Sequence, residues 1–421
     1  MTPIPLALIG CGGMGHRHLR GLIELHRAGL AEFSVVAACD PVTANAASLA
    51  DEAASAFGTR PAVVAHLDEL VPLGVAAVDI TTTPRSHHTI ATAALAYGWH
   101  VMLEKPMGLT ARACNLIRQA AAASDRILSV AENYRRDPVN RLAKALIDAG
   151  VIGAPRLLLQ HSIGGGDQML ISVWRHQKDQ SGVLLDVGVH YTDMIEYLLG
   201  PIEQVTAELR LHEPVRHNPA AGGNEAATGN NPAGVYGRWQ KQMPASFEAT
   251  AEDAVYATLT FANGAVGQYV EDHAGHGEPI WLRQIHGSRG SLDIPVDRSG
   301  SALRLHLGGQ PYHGDLLELV PDFRLDTVTA ALFGGERISS YNFSFAETDC
   351  RLLAVEYADF AQAIRGEHPP EVNAEQGARA VAGIYAMLES GTIGRAVTIA
   401  DVLDGQIATY QQSIDGSLGL G

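Results

Sequence analysis

At 421 residues the chain is longer than one ordinary hydrophobic core, so two domains are expected. Its net charge of −16 argues against nucleic acid or an anionic membrane surface as the main partner, and leaves room for a local basic pocket. Four scattered cysteines without a CxxC pair (Cys11, Cys39, Cys114, Cys350), an N-terminus lacking a charged signal region, and no apolar run of about 18 residues suit a reduced, cytoplasmic protein without a membrane span.

The first 135 residues alternate short apolar runs with amphipathic ones. "IPLALIG", "FSVVAACD", "VAAVDIT", "WHVMLEK" and "RILSVAEN" read as strands. Helical stretches such as "MGHRHLRGLIELHRAG", "TANAASLADEAASAF" and "ARACNLIRQAAAAS" separate them. Near-continuous apolar strands divided by helices predict a doubly wound parallel sheet covered on both faces. After residue 136 the rhythm changes. The helix "PVNRLAKALIDAG" leads to the strand "RLLLQHSI", a second helix starts near Asp186, and "AVYATLTF-ANG-AVGQYVED" predicts a hairpin around Asn263-Gly264. This half, 136–421, is expected to be an α/β domain with a large open, mainly antiparallel sheet. Residues 214–246, rich in Gly, Pro and Asn, read as a long loop, and helices are expected near 345–365 and 375–391.

"LALIGCGGMGHRHLRGL" places Gly10, Gly12 and Gly15 in G-x-G-x-x-G spacing between a strand and a helix. In such a turn Gly10 permits the bend, Gly12 lets backbone approach a pyrophosphate, and Gly15 lets helix and strand pack closely. Gly13 and Met14 then lie at a helix N-terminus, where N–H groups face phosphate. The second strand ends at Asp40, 25 residues after Gly15. A carboxylate there suits the 2′-hydroxyl of NAD and repels the 2′-phosphate of NADP; the plainer alternative is that Asp40 only caps the next helix. NAD is the expected cofactor, bound by residues 1–135.

Ligands of an open parallel sheet bind beyond the carboxyl ends of its strands. Three strand ends carry polar groups: "TTTPRSHH" with Thr82, Pro84 and His87, "EKP" with Glu104 and Lys105, and "ENYRRD" with Asn133 and Tyr134. Lys105 is thereby a candidate to assist proton transfer. In "SGVLLDVGVHYTD", Asp186 and His190 share one helix face, so Asp186 can hold a hydroxyl while His190 takes its proton. A surface pair is the bland reading of that spacing. No further ligands at sensible spacing support a metal. Arg135, Arg136, Arg175, His176 and Lys178 form a basic set suited to a carboxylated, sulfonated or phosphorylated sugar, or else to surface salt bridges. Trp174 either stacks on a sugar face or fills the core.

In this order, "IGCGGMGHRHL", "TTTPRSHHTIATAALAYGWHVMLEKPMGLT", "SGVLLDVGVHYTD" and "EDAVYATLTFANGAVGQY" resemble the Gfo/Idh/MocA family, relatives of glucose–fructose oxidoreductase and inositol dehydrogenase. The resemblance implies a Rossmann domain followed by an α/β domain whose sheet forms a homodimer or homotetramer interface. It implies a Lys-Asp-His catalytic set at Lys105, Asp186 and His190, and a cis peptide at Lys105-Pro106. The sequence departs from the pattern in its reduced glycine run, Ser181-Gly182, before Asp186. Segments 214–246 and 300–348 have no counterpart.

Three functions compete. The first is an NAD-dependent dehydrogenase of a sugar, polyol or glycoside hydroxyl. The second is a glycosidase using NAD catalytically, through transient oxidation at C3, elimination, water addition and re-reduction, with Tyr134 or His176 as an extra base. The third is a non-catalytic dinucleotide-sensing regulator. Substrate contacts are expected from Tyr134, Arg135, Trp174, Arg175, His176, Asp186 and His190.

Overall fold

The computed structural model describes residues 2–221 and 231–421. They form two compact units, one of residues 1–133 and 346–378 and the other of residues 134–345 and 379–421.

The first unit is built on six parallel strands: β1 (Ile4–Ile9), β2 (Phe33–Cys39), β3 (Ala62–Val64), β4 (Ala77–Ile80), β5 (His100–Glu104) and β6 (Leu128–Ala131). Their spatial order is β3-β2-β1-β4-β5-β6. The chain therefore leaves β1 towards one edge and returns beside it at β4, which opens a crevice at the carboxyl end of β1. Helices α1 (Gly13–Arg27), α2 (Thr43–Phe57), α3 (Pro84–Ala96) and α4 (Ala111–Ala122) make the crossovers. Leu6, Ala7 and Leu8 are fully buried in succession, the signature of a strand covered on both faces. The short strand β3, "AVV", was not anticipated, because three half-buried residues carry too little periodicity to be seen.

Residues 346–378, placed by linear reading in the second domain, pack with the first unit. The helix Phe345–Ile364 has an apolar face that needs cover, and the first unit supplies it. Phe360 stacks on Phe33 with ring centroids 5.8 Å apart, and Tyr357 meets the same ring edge-on. A buried Arg17–Asp349 ion pair joins α1 to this helix, with Arg17 Nε donating to Asp349 Oδ2 at 2.9 Å. Val130 N–H of β6 donates to Val372 O.

The second unit begins with α5 (Pro138–Asp148), β7 (Pro155–Gly165) and α6 (Val183–Leu199). Helix α6 starts three residues before the expected Asp186, so that residue lies in its first turn. Strand β8 (Ile202–Arg210) follows, and then β9 (Val215–His217), which pairs with β10 (Ser246–Glu248). The segment 214–246 is thus more than a loop: it carries β9, short helical turns at Pro232–Gly234 and Gly237–Gln240, and the first residue of β10, while residues 222–230 lie outside the described residues. Strands β11 (Ala254–Phe261) and β12 (Val266–Gly275) form the hairpin expected around Asn263-Gly264. Strands β13 (Ile280–Gly287), β14 (Gly290–Ile294), β15 (Arg304–Leu307), β16 (Gln310–Pro311) and β17 (Val397–Thr398) complete a nine-stranded sheet. Its order is β16-β15-β14-β13-β7-β12-β11-β8-β17, and β7–β12 is its one parallel pair among the described residues. Gln160, Tyr269 and Arg283 stand in register on three adjacent strands and are buried.

Close approach, and not only a turn, makes one helical glycine necessary. A Cβ on Gly21 of α1 would sit 2.7 Å from Leu353 Cβ and 3.1 Å from Leu353 backbone carbon. Alanine favours a helix interior by roughly 1 kcal/mol over glycine, yet here the added methyl has no room. Gly21→Ala is expected to destabilise the protein by about 1–3 kcal/mol, read as a lower urea midpoint; a raised midpoint would show that the helix propensity wins.

Candidate active site

In the first unit the turn after β1 is shaped by steric exclusion. Gly10 has φ +94°, and a Cβ there would meet Thr82 N at 2.8 Å. A Cβ on Gly15 would lie 2.3 Å from Gly10 O, whereas one on Gly12 would have nothing within 4 Å. Gly10 and Gly15 are thus fixed by packing, and Gly12 by open space of the kind a pyrophosphate fills. Helix α1 starts at Gly13 with no side-chain cap and no carboxylate in its first turn, which suits an anion at that end. Met14 lies in the same turn.

Asp40 holds this turn directly. One carboxylate oxygen accepts from Cys11 N–H and the other from Val42 N–H, both at 2.8 Å. The second bond shapes the turn before α2 without capping that helix, which has no side-chain cap, while the first reaches across to the glycine turn. Thr81 Oγ1 donates to Gly10 O at 2.6 Å. Gly10, Gly12, Gly13, Gly15 and Asp40 therefore fit a dinucleotide.

The end of β5 carries Glu104 and Lys105, with a cis Lys105-Pro106 peptide bond as the family resemblance implied. His87 is fully buried and is clamped between two carbonyls: Nδ1 lies 2.9 Å from Pro106 O, and Nε2 lies 3.1 Å from Thr82 O. Burial pushes its pKa down, and a neutral ring donates to only one of these carbonyls at a time. His87 thus braces the Thr82 and Pro106 loops, and its ring does not reach out to a ligand. Pro84 sits at the start of α3. Asn133 is buried, and its Oδ1 has no hydrogen-bond partner among the described residues. Such an amide is suited to a polar ligand group.

Sequence reasoning missed what stands behind Glu104. His18 is fully buried, with Nδ1 3.0 Å from Asp79 Oδ2 and Nε2 3.1 Å from Glu104 Oε1. Tyr357 O–H donates to the same Asp79 oxygen at 2.6 Å. Burial alone would lower the His18 pKa, but the two carboxylates outweigh it and hold the pKa well above the ordinary value. Burial likewise works to raise Glu104, yet the His18 hydrogen bond and the Lys105 and His18 charges bring it below its usual range. The available signal was Asp79 itself: a carboxylate inside the apolar strand "VAAVDIT" requires a buried partner.

In the second unit Asp186 and His190 lie one turn apart on α6. Asp186 is buried, and its Oδ2 accepts from Arg175 Nε at 2.7 Å, while Arg175 Nη1 donates to Ser172 Oγ at 2.8 Å. His190 is half-buried and stacks face to face on Tyr134, with centroids 4.1 Å apart and planes 6° from parallel. Arg135 grips Asp193 through both Nε and Nη2, with Nε at 2.8 Å from Oδ2. The guanidinium of Arg175 lies 4.2 Å from the Trp174 ring centroid, so Trp174 packs on an arginine. Lys178 Nζ stands 3.7 Å from the Tyr410 ring centroid.

His176 is buried and accepts Leu170 N–H on Nε2 at 2.9 Å. Burial, followed by the Arg216, His273 and Arg175 charges, pushes its pKa down to about 3. It therefore serves as a neutral brace for the 170–176 loop, where Ile171 takes φ +59°. The basic set read from the sequence is largely committed to partners inside the unit. Among the described residues no group of three His, Cys, Asp or Glu side chains is placed to hold a metal ion, and no helix is long and apolar enough to cross a membrane.

Comparison with known proteins identifies the family of both units. Residues 4–132 match the family described as "Oxidoreductase family, NAD-binding Rossmann fold", and residues 144–399 match "Oxidoreductase family, C-terminal alpha/beta domain". The chain is 31% identical over 311 residues to levoglucosan dehydrogenase of Pseudarthrobacter phenanthrenivorans, covering 71% of this chain and 75% of that one. It is 30% identical over 225 residues to inositol 2-dehydrogenase of Burkholderia cenocepacia, covering 52% of this chain and 60% of that one. A solved levoglucosan dehydrogenase in complex with NADH superposes with a TM-score of 0.72 at 24% identity, covering 94% of this chain and 99% of that one. An oxidoreductase domain protein from Kribbella flavida superposes at 0.74 and 23%, covering 95% and 100%.

The His18 trio makes a pH signature. Its raised pKa gives stabilisation that is full below the unfolded value of 6.5 and is lost as pH rises through the folded value. The lowered Glu104 pKa contributes above the ordinary 4.5 and is lost as pH falls through the folded value. His18→Gln is expected to cost about 3 kcal/mol or more near pH 6. In urea unfolding, the gap from wild type should narrow as pH climbs past 6.5; a gap independent of pH would show that His18 carries no charge in the folded protein.

Proposed function

The chain belongs to the Gfo/Idh/MocA oxidoreductase family, and from that premise we propose that it is an NAD-dependent dehydrogenase of a cyclic sugar or polyol, with Lys105, Asp186 and His190 as its catalytic residues. The observation that carries the reading is the pairing on α6: a buried carboxylate oriented by Arg175, one turn from an imidazole steadied by Tyr134. The NAD-binding fold supplies the hydride acceptor when the cofactor is bound, at Gly10, Gly12, Gly13, Met14, Gly15 and Asp40. Glu104 ends β5, Thr82 and Asn133 follow β4 and β6, and Pro84 and His87 lie in the first turn of α3, all at the carboxyl end of that sheet.

In this scheme Asp186 accepts a substrate hydroxyl, with its Oδ2 fixed by Arg175, and so orients the carbinol carbon. His190 withdraws the proton of the reacting hydroxyl as hydride departs, and Lys105 assists that proton transfer. Oriented acid–base groups of this kind contribute about 10²–10⁴ in rate.

Several features support a neutral substrate over an anionic one. Arg135 and Arg175 are paired to Asp193 and Asp186, and Lys178 faces Tyr410, so these cations already have partners. The similarity to levoglucosan and inositol dehydrogenases supports the same class. Redox-neutral glycoside cleavage would need a further base, and His176, with its ring nitrogen engaged and its pKa pushed down to about 3, is unsuited to that role. Retention of the acid–base set speaks against a purely sensing role.

We place the protein in the cytoplasm, where its four free thiols would remain reduced, and assign it a homodimer or homotetramer through the second unit's sheet. Tyr256, Val266 and Ile280 expose apolar surface along three strands of that sheet, surface that a second copy would cover.

Levoglucosan and myo-inositol are the first substrates to test. NADH formation at 340 nm is expected with one or both, and Lys105→Ala and His190→Ala should each lower kcat by about 10²-fold or more while NAD binding is retained. Glycoside cleavage without net NADH would replace this reading by the redox-neutral one. Sedimentation should give a dimer or tetramer, and a Tyr256→Asp, Val266→Asp variant should shift it towards monomer; a wild-type monomer would remove the assembly proposal.

A further inference from the structure

We propose that Arg298 is a positioning residue of the active site, acting through the hydroxyl of Tyr134; this rests on the dehydrogenase reading of His190 and Asp186. Arg298 Nη2 donates to Tyr134 Oη at 3.2 Å, and its guanidinium carbon lies 4.8 Å from the centroid of the same ring. That ring is the one stacked on His190. A guanidinium has donors and no acceptor, so the Tyr134 oxygen must accept here, and its own proton is directed to some other acceptor. A phenol that accepts from a cation is polarised towards giving that proton. Arg298 thus fixes both the ring plane that steadies His190 and the donor sense of the hydroxyl beside it. That hydroxyl is the donor we assign to a substrate oxygen.

The backbone beneath Arg298 is held to make this contact. Arg298 takes φ +65°, a left-handed conformation disfavoured for a residue with a side chain. Such strain persists only where the surroundings over-determine it, and it clusters at functional sites. Here Arg298 N–H donates to Asp137 Oδ2 at 3.0 Å, and Tyr341 O–H donates to the same oxygen at 2.8 Å. The other oxygen of Asp137 caps α5 through Val139 N–H at 2.9 Å. Just before it in the chain, Asp297 Oδ1 accepts from Asn140 Nδ2 at 2.8 Å and from Arg283 Nη1 at 2.7 Å. The Asp137 carboxylate, three residues from Tyr134, therefore anchors the far loop that returns Arg298 to Tyr134. This gives part of the otherwise unassigned 300–348 segment a purpose, because Tyr341 helps hold the loop in place.

A double-mutant cycle separates this role from mere packing. Arg298→Met, Arg298→Lys, Tyr134→Phe and the Arg298→Met, Tyr134→Phe pair would be made in the full chain and assayed for NADH formation with levoglucosan. Arg298→Met and Tyr134→Phe should each lower kcat by about ten-fold or more, the scale of a lost hydrogen bond to a charged group, with little change in KM. The double variant should be no slower than Tyr134→Phe, and Arg298→Lys should recover part of the loss. Multiplying losses, or an Arg298→Met enzyme with wild-type kcat, would overturn the proposal. A readout independent of substrate is the tyrosine 13Cζ resonance that disappears in Tyr134→Phe. It should move in Arg298→Met and return towards its original position in Arg298→Lys, with the melting temperature kept near wild type in both. A resonance that stays in place overturns the proposal even if no polyol yields NADH, whereas absent NADH with a moving resonance counts against the dehydrogenase reading alone.

Discussion

A charge taken out of water must find a partner, and most of this protein's functional architecture follows from that constraint. The first unit buries Asp79 and Glu104 on neighbouring strands and sets His18 between them. The second buries Arg135 with Asp193 and Arg175 with Asp186. Each pairing fixes a side chain at or beside a group proposed to have a chemical role. Glu104 precedes Lys105, Arg175 orients Asp186, and Asp193 lies a turn beyond His190. Partnered burial is a modest source of net stability, but it gives a carboxylate or imidazole one orientation where an exposed group would have many.

Excluded volume has a similar effect where no charge is involved. In the glycine turn after β1, Gly10 and Gly15 are pressed against Thr82 and against each other, while Gly12 faces open space. Asp40 then ties that turn to the end of β2 through Cys11 N–H. A turn fixed before the cofactor arrives loses little conformational freedom on binding it, and preorganisation of that kind favours affinity. In the second unit, the parallel stack of Tyr134 on His190 plays the corresponding part for the imidazole proposed as the acid–base group.

The two units also differ in how their groups are brought together. In the first, the glycine turn, Asp40, Thr82 and Glu104 come from consecutive strand ends of one sheet, so chain order nearly gives spatial order. In the second, Tyr134, Asp186, His190 and Arg298 come from a helical turn, a helix and a distant loop, and they are brought together by the packing of α6 on that turn and by the Asp137 and Asp297 contacts that hold the loop. This explains why similarity to dehydrogenases of known substrate supports a class of substrate more firmly than a particular sugar. The glycine turn is set by local sequence, whereas Tyr134 meets His190 across more than fifty residues and Arg298 across more than a hundred and fifty.

The legible part of the sequence was local. The G-x-G-x-x-G turn, the strand ending at Asp40, the cis Lys105-Pro106 bond implied by family resemblance, and the Asp186–His190 spacing were all readable within windows of a few dozen residues, where periodicity and turn chemistry operate. The parallel and antiparallel sheets followed from the same patterns. What tertiary structure alone decided was partnership: His18 with Asp79 and Glu104, Arg175 with Asp186, Trp174 against an arginine, His87 and His176 as braces, and the return of residues 346–378 to the first unit. A linear pattern shows that a histidine or arginine is present and on which face of its element it lies. It does not show which distant carboxylate will lie within 3 Å, because that distance is set by how separate elements pack, and packing depends on every side chain between them.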